Sequence, residues 1–197
     1  MAGTRGLGAA AVAEAEKRDH TTFRKLVDCM ASPGTVASIR QSAPSGAPGE
    51  PAVAVLESLL DDEVTFAAHR IDDTIRERVL RATESILADL HTADCALVDG
   101  AGAVEAARWA RSRSGAPTGS AIVVVMCRSL TGGPVSLRLS GPGIDDEARL
   151  EVDGVPAEFF SEMSRRNANF YHGIDVILVA GDGTVACVPK SSQISLD

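Results

Sequence analysis

The sequence has 197 residues, 45% of them hydrophobic and 23% charged, with a formal net charge of -8 at pH 7. A chain of this length buries about 70% of its unfolded surface as one domain, so a core needs no disulfide or metal staple. The acidity argues against generic attraction to nucleic acid or anionic lipid. No apolar run approaches the about 20 residues that span a bilayer, and MAGTRGLGAAAVAEAEKRDH lacks the compact apolar centre of a secretory signal.

The expected location is therefore the cytoplasm. The expected organisation is a flexible segment over residues 1–20 followed by a single α/β domain over 21–197. The four cysteines, Cys29, Cys95, Cys127 and Cys187, are scattered without a C-x-x-C pair, which favours reduced thiols over a disulfide frame or a zinc site.

In chain order, HTTFRKLVDCMASPGTVASI places Phe23, Leu26, Val27 and Met30 at helical spacing. The helix should end before Pro33, with Pro-Gly as a turn and TVASI as a short strand. QSAPSGAPGEP is a loop, Pro51 opens a helix over AVAVLESLL, and DDEVTFAA holds a turn and a strand. RIDDTIRERVLRATES is an amphipathic helix, CALVD a buried strand, AVEAARWARSR a helix and SGAPTGS a loop. AIVVVM and VSLRL are strands that CRSLTGGP joins with the length of a hairpin. ARLEV is a short strand, PAEFFSEMSRRNANF a helix, and IDVILVA and TVACVP pair about Gly181-Asp182-Gly183. Early alternation of helix and strand requires parallel pairing, and the late tight turns require antiparallel pairing. The expectation is a three-layer α/β/α domain with a mixed sheet.

Several segments carry possible chemistry. From Ala106 to Ile144 there is no acid, while Arg108, Arg111, Arg113, Arg128 and Arg138 fall in that window. They can gather an anionic ligand or form a solvated face. In CALVDGAGAVEAARW a strand meets Gly100-Ala101-Gly102 and a helix, as a phosphate-binding turn would. Glu105 replaces the third glycine of a dinucleotide motif, and no acid follows at ribose distance, so a plain strand-to-helix turn is the better reading. No P-loop or G-x-S-x-G elbow is present, and the four histidines show no metal-ligand spacing. Lys190, followed by Ser191 and Ser192, can serve as a Schiff-base amine or an anion contact, or be a solvated lysine near a frayed end.

Three separated segments, FRKLVDCMASPGTV, LTGGPVSLRLSGPGI and FYHGIDVILVAGDGTVACVPKSS, resemble in order and spacing the PhnH family, a subunit of the bacterial carbon-phosphorus lyase system. The likeness runs from Thr22 to Ser192. It departs at Pro189-Lys190-Ser191-Ser192, where the family commonly has proline-arginine-threonine-threonine, so a bidentate arginine contact is lost.

The resemblance implies an auxiliary subunit of phosphonate breakdown, acting with PhnG, PhnI and PhnL type subunits to join methylphosphonate to the ribose of MgATP. The product would be ribose 1-methylphosphonate 5-triphosphate. It further implies a core complex containing PhnG, PhnI and PhnJ, a homodimer when isolated, and a fold similar to the large domain of PLP-dependent transferases without a PLP site. No catalytic residue, bound cofactor or metal is expected of this chain itself, although the complex uses MgATP. A free-standing PLP-dependent-transferase-like enzyme or a phosphonate- or nucleotide-binding module are the rival expectations. The expected ligand or partner contacts are Arg24 with Lys25 before the Pro33 turn, Arg138 and the glycines Gly141 and Gly143 of the SGPGI elbow, Asp175, and Lys190-Ser191-Ser192.

Overall fold

The computed structural model describes residues 4–40, 47–110, 121–168 and 173–197, with side chains from Lys17 onward. Helix α1 (Thr4–Ala31) begins far ahead of the point expected from the apolar spacing. The Ala-rich stretch is helical from Thr4 onward. Alanine, leucine, glutamate and lysine all rank high in helix propensity, and no proline interrupts them. The helix stops at the Ser32–Thr35 turn, where Thr35 N–H donates to the Ser32 carbonyl at 3.2 Å.

Strand β1 (Val36–Ser38) follows, then α2 (Glu50–Glu57), with Pro51 in its first turn. After β2 (Thr65–His69), Asp72 caps α3 (Asp73–Thr83) by accepting the Thr74 N–H at 2.8 Å. Strands β3 (Ile86–Leu87) and β4 (Cys95–Asp99) lead through a short 3-10 turn to α4 (Ala103–Trp109). Next come β5 (Ile122–Cys127), β6 (Val135–Ser140), β7 (Ala148–Val152) and α5 (Ala157–Asn167). The chain closes with β8 (Asp175–Ala180), β9 (Thr184–Val188) and β10 (Gln193–Leu196). The expected helix AVEAARWARSR is thus described only to Trp109, and Arg111 and Arg113 lie outside the described residues.

Among the described residues the main sheet has seven strands in the order β1-β9-β8-β5-β4-β2-β3. Its centre, β2-β4-β5-β8, is parallel, and β9 and β1 add antiparallel. This is the mixed α/β sheet that the sequence leads one to expect. The central strands read CALVD, IVVVMC and DVILVA, near-continuous apolar runs, because both faces are covered. On one face Leu97, Val124, Ile177 and Cys187 pack against Leu26, Cys29, Leu56, Ile75 and Val79 of the first three helices. On the other, Val98, Val123, Val125 and Leu178 meet alanines of α4 and Phe159, Phe160 and Met163 of α5. That second face also receives Leu137, Leu139 and Leu150 from a three-stranded sheet, β10-β6-β7, so its cover combines helices with strands.

The small sheet corrects two expectations. AIVVVM and VSLRL do not form a hairpin, since β5 stays in the main sheet while β6 pairs with β7 and β10. The chain is diverted at Arg128 and Ser129, whose N–H groups both donate to the Asp153 carbonyl, at 2.8 and 3.5 Å. A Cβ on Gly133 would lie 2.2 Å from the Val152 carbonyl carbon, so only glycine permits that approach. The C-terminus is not frayed: Gln193–Leu196 pair antiparallel with β6.

Candidate functional site

The SGPGI elbow leaves β6 with Gly141 at φ 127° and Gly143 at φ 83°, values disfavoured for residues with a Cβ. A Cβ at Gly143 would fall 2.0 Å from the Ala31 carbonyl oxygen at the end of α1. At Gly141 it would meet the Ser191 carbonyl oxygen at 3.0 Å. Across the same junction, a Cβ on Gly34 would lie 2.7 Å from Ala148 Cβ on β7. The three segments singled out by sequence therefore meet in space around one elbow. Its glycines serve close backbone approach.

Lys190 leaves β9 beside the start of β8, and its backbone N–H donates to Asp175 Oδ1 at 2.9 Å. Ser192 N–H turns back to the Pro189 carbonyl at 2.9 Å. From α5, buried Asn167 accepts the Ile174 N–H at 2.9 Å and donates to the Ile174 carbonyl at 3.3 Å, fixing the chain as it enters β8. A Cβ on Gly173 would meet Lys190 Cβ at 2.9 Å and Asn167 Oδ1 at 3.0 Å, so glycine lets the lysine stem lie against this turn.

Between the end of α5 and the start of β10 lies a groove of about 510 Å³, lined by Ser164, Asn167, Ala168 and the run Lys190 to Ile194. Ser192 is only 6% exposed, and its hydroxyl has no hydrogen-bond partner among the described residues. An unsatisfied buried hydroxyl costs about 1–3 kcal/mol.

Lys190, Ser191 and Ser192 thus share one groove, with Gly141 packed behind it and Asp175 holding its rim. The other expected contacts lie elsewhere. Arg24 is exposed on α1, and Lys25 Nζ donates to the Ser38 carbonyl. Gly143 faces the end of α1. Arg138 does not address the elbow: its Nε lies 2.5 Å from Asp197 Oδ1, an ion pair without aligned hydrogen-bond geometry, and its Nη1 is 3.9 Å from Glu147 Oε2. Asn167, Ser164 and Gln193 escaped the sequence reading because nothing local marks the end of α5 as a neighbour of β10.

The arginine window also changes in space. Arg108 pairs with Glu158 at 2.7 Å, Arg128 makes two 2.8 Å bonds to Asp153, and Arg138 pairs as above. The described arginines are opposed by acids distant in sequence. A free cationic patch formed by these three is corrected accordingly.

The carboxyl ends of β2 and β4 form the other place where chemistry is expected. From β2 the chain runs outward through α3 to β3, whereas from β4 it runs the opposite way through α4 to β5. Such a reversal opens the crevice where α/β sheets bind ligands. Here the space is occupied by the protein's own charges: His69 Nε2 is 2.6 Å from Glu105 Oε2, and Arg70 Nε is 3.7 Å from Asp99 Oδ1. Asp99 also accepts the Gly102 N–H at 2.6 Å, which consumes a donor that a phosphate would use. A Cβ on Gly100 would fall 1.8 Å from the Gly154 carbonyl oxygen, so this glycine too is a packing residue. The hydrogen bond from His69, with weaker help from charge, holds the Glu105 carboxyl below its usual range.

Burial pushes the Cys95 and Cys127 thiols up to about 12, which keeps both protonated and poor as nucleophiles. The four cysteines are unbridged.

The fold and groove define a mixed-sheet α/β protein whose signature loops converge on an auxiliary three-stranded sheet. The family model described as bacterial phosphonate metabolism protein (PhnH) matches residues 10–195, and the chain belongs to that family. It is 32% identical over 182 residues to the putative C-P lyase subunit protein HtxG of Stutzerimonas stutzeri, covering 91% of this chain and 87% of that protein. It is 27% identical over 194 residues to the alpha-D-ribose 1-methylphosphonate 5-triphosphate synthase subunit PhnH of Rhizobium meliloti (strain 1021), covering 88% of each.

Proposed function

We propose that the chain is an auxiliary subunit of a carbon-phosphorus lyase system, required with its partners to form ribose 1-methylphosphonate 5-triphosphate from MgATP and methylphosphonate. The observation that carries this reading is the family match over residues 10–195, joined by relatives whose names are those of C-P lyase and synthase subunits. The convergence of all three family-like segments on one elbow supports it further, because the parts shared with the family build one local structure. The partners proposed are PhnG, PhnI, PhnJ and PhnL type subunits, with a homodimer when the chain is isolated and the cytoplasm as its location. Among the described residues no helix is long and apolar enough to cross a membrane.

The chemistry of the step is assigned to the partners and to MgATP. This chain supplies surface and positioning, and it binds no cofactor of its own. The likeness to the large domain of PLP-dependent transferases belongs to the same proposal. A free-standing transferase built on Lys190 is the weaker reading, since both relatives are named as subunits.

The test is co-expression of the untagged chain with tagged PhnG, PhnI and PhnJ type subunits, followed by affinity purification and size exclusion. Elution of this chain with the others in a fixed ratio is expected. Elution apart from them, with the others still assembled, overturns the reading.

A further inference from the structure

We propose that the groove between α5 and β10 is a binding site for a phosphoryl-type oxyanion, held by the Lys190 ammonium and the hydroxyls of Ser191 and Ser192. This goes beyond the auxiliary-subunit reading and stands on the groove itself, in the isolated chain.

The observation that points to a ligand is Ser192. It lines the groove, is 6% exposed, and keeps a hydroxyl without a partner among the described residues. Its backbone N–H is already spent on the Pro189 carbonyl, so the side chain is the part left to act.

The lining supports an anion. Its described residues include one cation, Lys190, the hydroxyls of Ser191 and Ser192, that of Ser164, which donates to the Ile194 carbonyl at 3.5 Å, and the amides of Asn167 and Gln193, with no acidic side chain. Asn167 uses its amide oxygen and one donor contact on Ile174, and an amide nitrogen carries two donors. Asp175, at the rim of the groove, is engaged by the Lys190 backbone N–H. The number of donors suits a tetrahedral group with three terminal oxygens better than a carboxylate with two.

The end of α5 opposes this charge, because a helix C-terminus carries about half a negative charge. Two features limit that opposition. The Ala168 N–H takes up the Ser164 carbonyl at 3.1 Å, and Lys190 brings a full positive charge to the same wall. The volume of about 510 Å³ admits a small molecule carrying the group.

The experiment is titration of the isolated full chain, isotope-labelled, with inorganic phosphate, methylphosphonate and acetate at constant ionic strength, followed by amide shifts. The expected result is saturable shifts at residues 164–168 and 190–194 with phosphate or methylphosphonate, and much weaker ones with acetate. Which of the two binds more tightly distinguishes a free phosphate from a phosphonate source. Lys190→Gln and Ser192→Ala should each weaken binding by about tenfold, the size expected for one charge-assisted contact. Ser191→Ala, at an exposed position, gives the same reading with about a threefold loss if Ser192→Ala disturbs folding. Shifts that do not saturate, that fall outside the groove, that acetate reproduces equally, or that survive Lys190→Gln unchanged overturn the proposal.

Discussion

Two regions of this molecule have the look of sites, and they are built in opposite ways. At the carboxyl ends of β2 and β4 the topology is that of a ligand crevice, yet each charge there already has a protein partner: His69 with Glu105, Arg70 with Asp99, and Asp99 with the Gly102 N–H. At the junction of α5, β9 and β10 the topology is unremarkable, yet a buried serine hydroxyl lacks a partner beside a lysine. The lesson is that strand order shows where a fold offers a site, while unspent hydrogen-bonding capacity shows where a site is still available.

The largest expected effects come from two glycines that tolerate no Cβ, Gly143 at the elbow and Gly100 beside the crevice. Gly143→Val puts side-chain carbon against the Ala31 carbonyl at a positive φ, and Gly100→Ala puts its Cβ against the Gly154 carbonyl. Each should cost about 3 kcal/mol or more, a fall in melting temperature of about 10 °C for a chain of this size. Gly181→Ala, whose Cβ would meet nothing within 4 Å, is the control and should stay within about 0.5 kcal/mol. If Gly143→Val melts like Gly181→Ala, the elbow is not a close-packed junction.

Next in size is Asn167→Ala, which removes both contacts to Ile174 and leaves a buried N–H and carbonyl without partners. A loss of about 2 kcal/mol is expected in urea unfolding. An unchanged midpoint would mean that the entry to β8 is held by other means.

The smallest effect separates the regions by pH. Glu105 is held below its ordinary value in the folded state, so its ionised form contributes stability above the unfolded value of about 4.3, and that contribution is lost as pH falls through the folded value. Glu105→Gln should therefore lower the melting temperature slightly at pH 7, and the gap from the parent should close in acid. Asp182, held low by the Thr184 hydroxyl and N–H, should behave the same way in Asp182→Asn. A gap that widens in acid would contradict both assignments.

The sequence carried much of the main sheet. CALVD, IVVVMC and DVILVA are apolar throughout because both faces are buried, and Gly181-Asp182-Gly183 announced the β8-β9 hairpin. What escaped depends on partners far along the chain. Strand β10 exists because β6 offers it an edge, and β3 has only two residues, too few for any alternation to register. The arginine window looked unopposed because Glu158, Asp153 and Asp197 lie outside it in sequence. For the groove, Lys190-Ser191-Ser192 was visible as a run of polar residues after a strand. Its other wall, the end of α5, becomes a neighbour only through the packing of α5 on β10.

The proposed role is that of a necessary but auxiliary member of a larger assembly. Reconstitution of the partner subunits with MgATP and methylphosphonate, with and without this chain, measures that directly by the release of adenine. The expected result is adenine release that requires the chain and is absent when the chain is incubated alone. Equal release without it, or release by the chain unaided, would contradict the account.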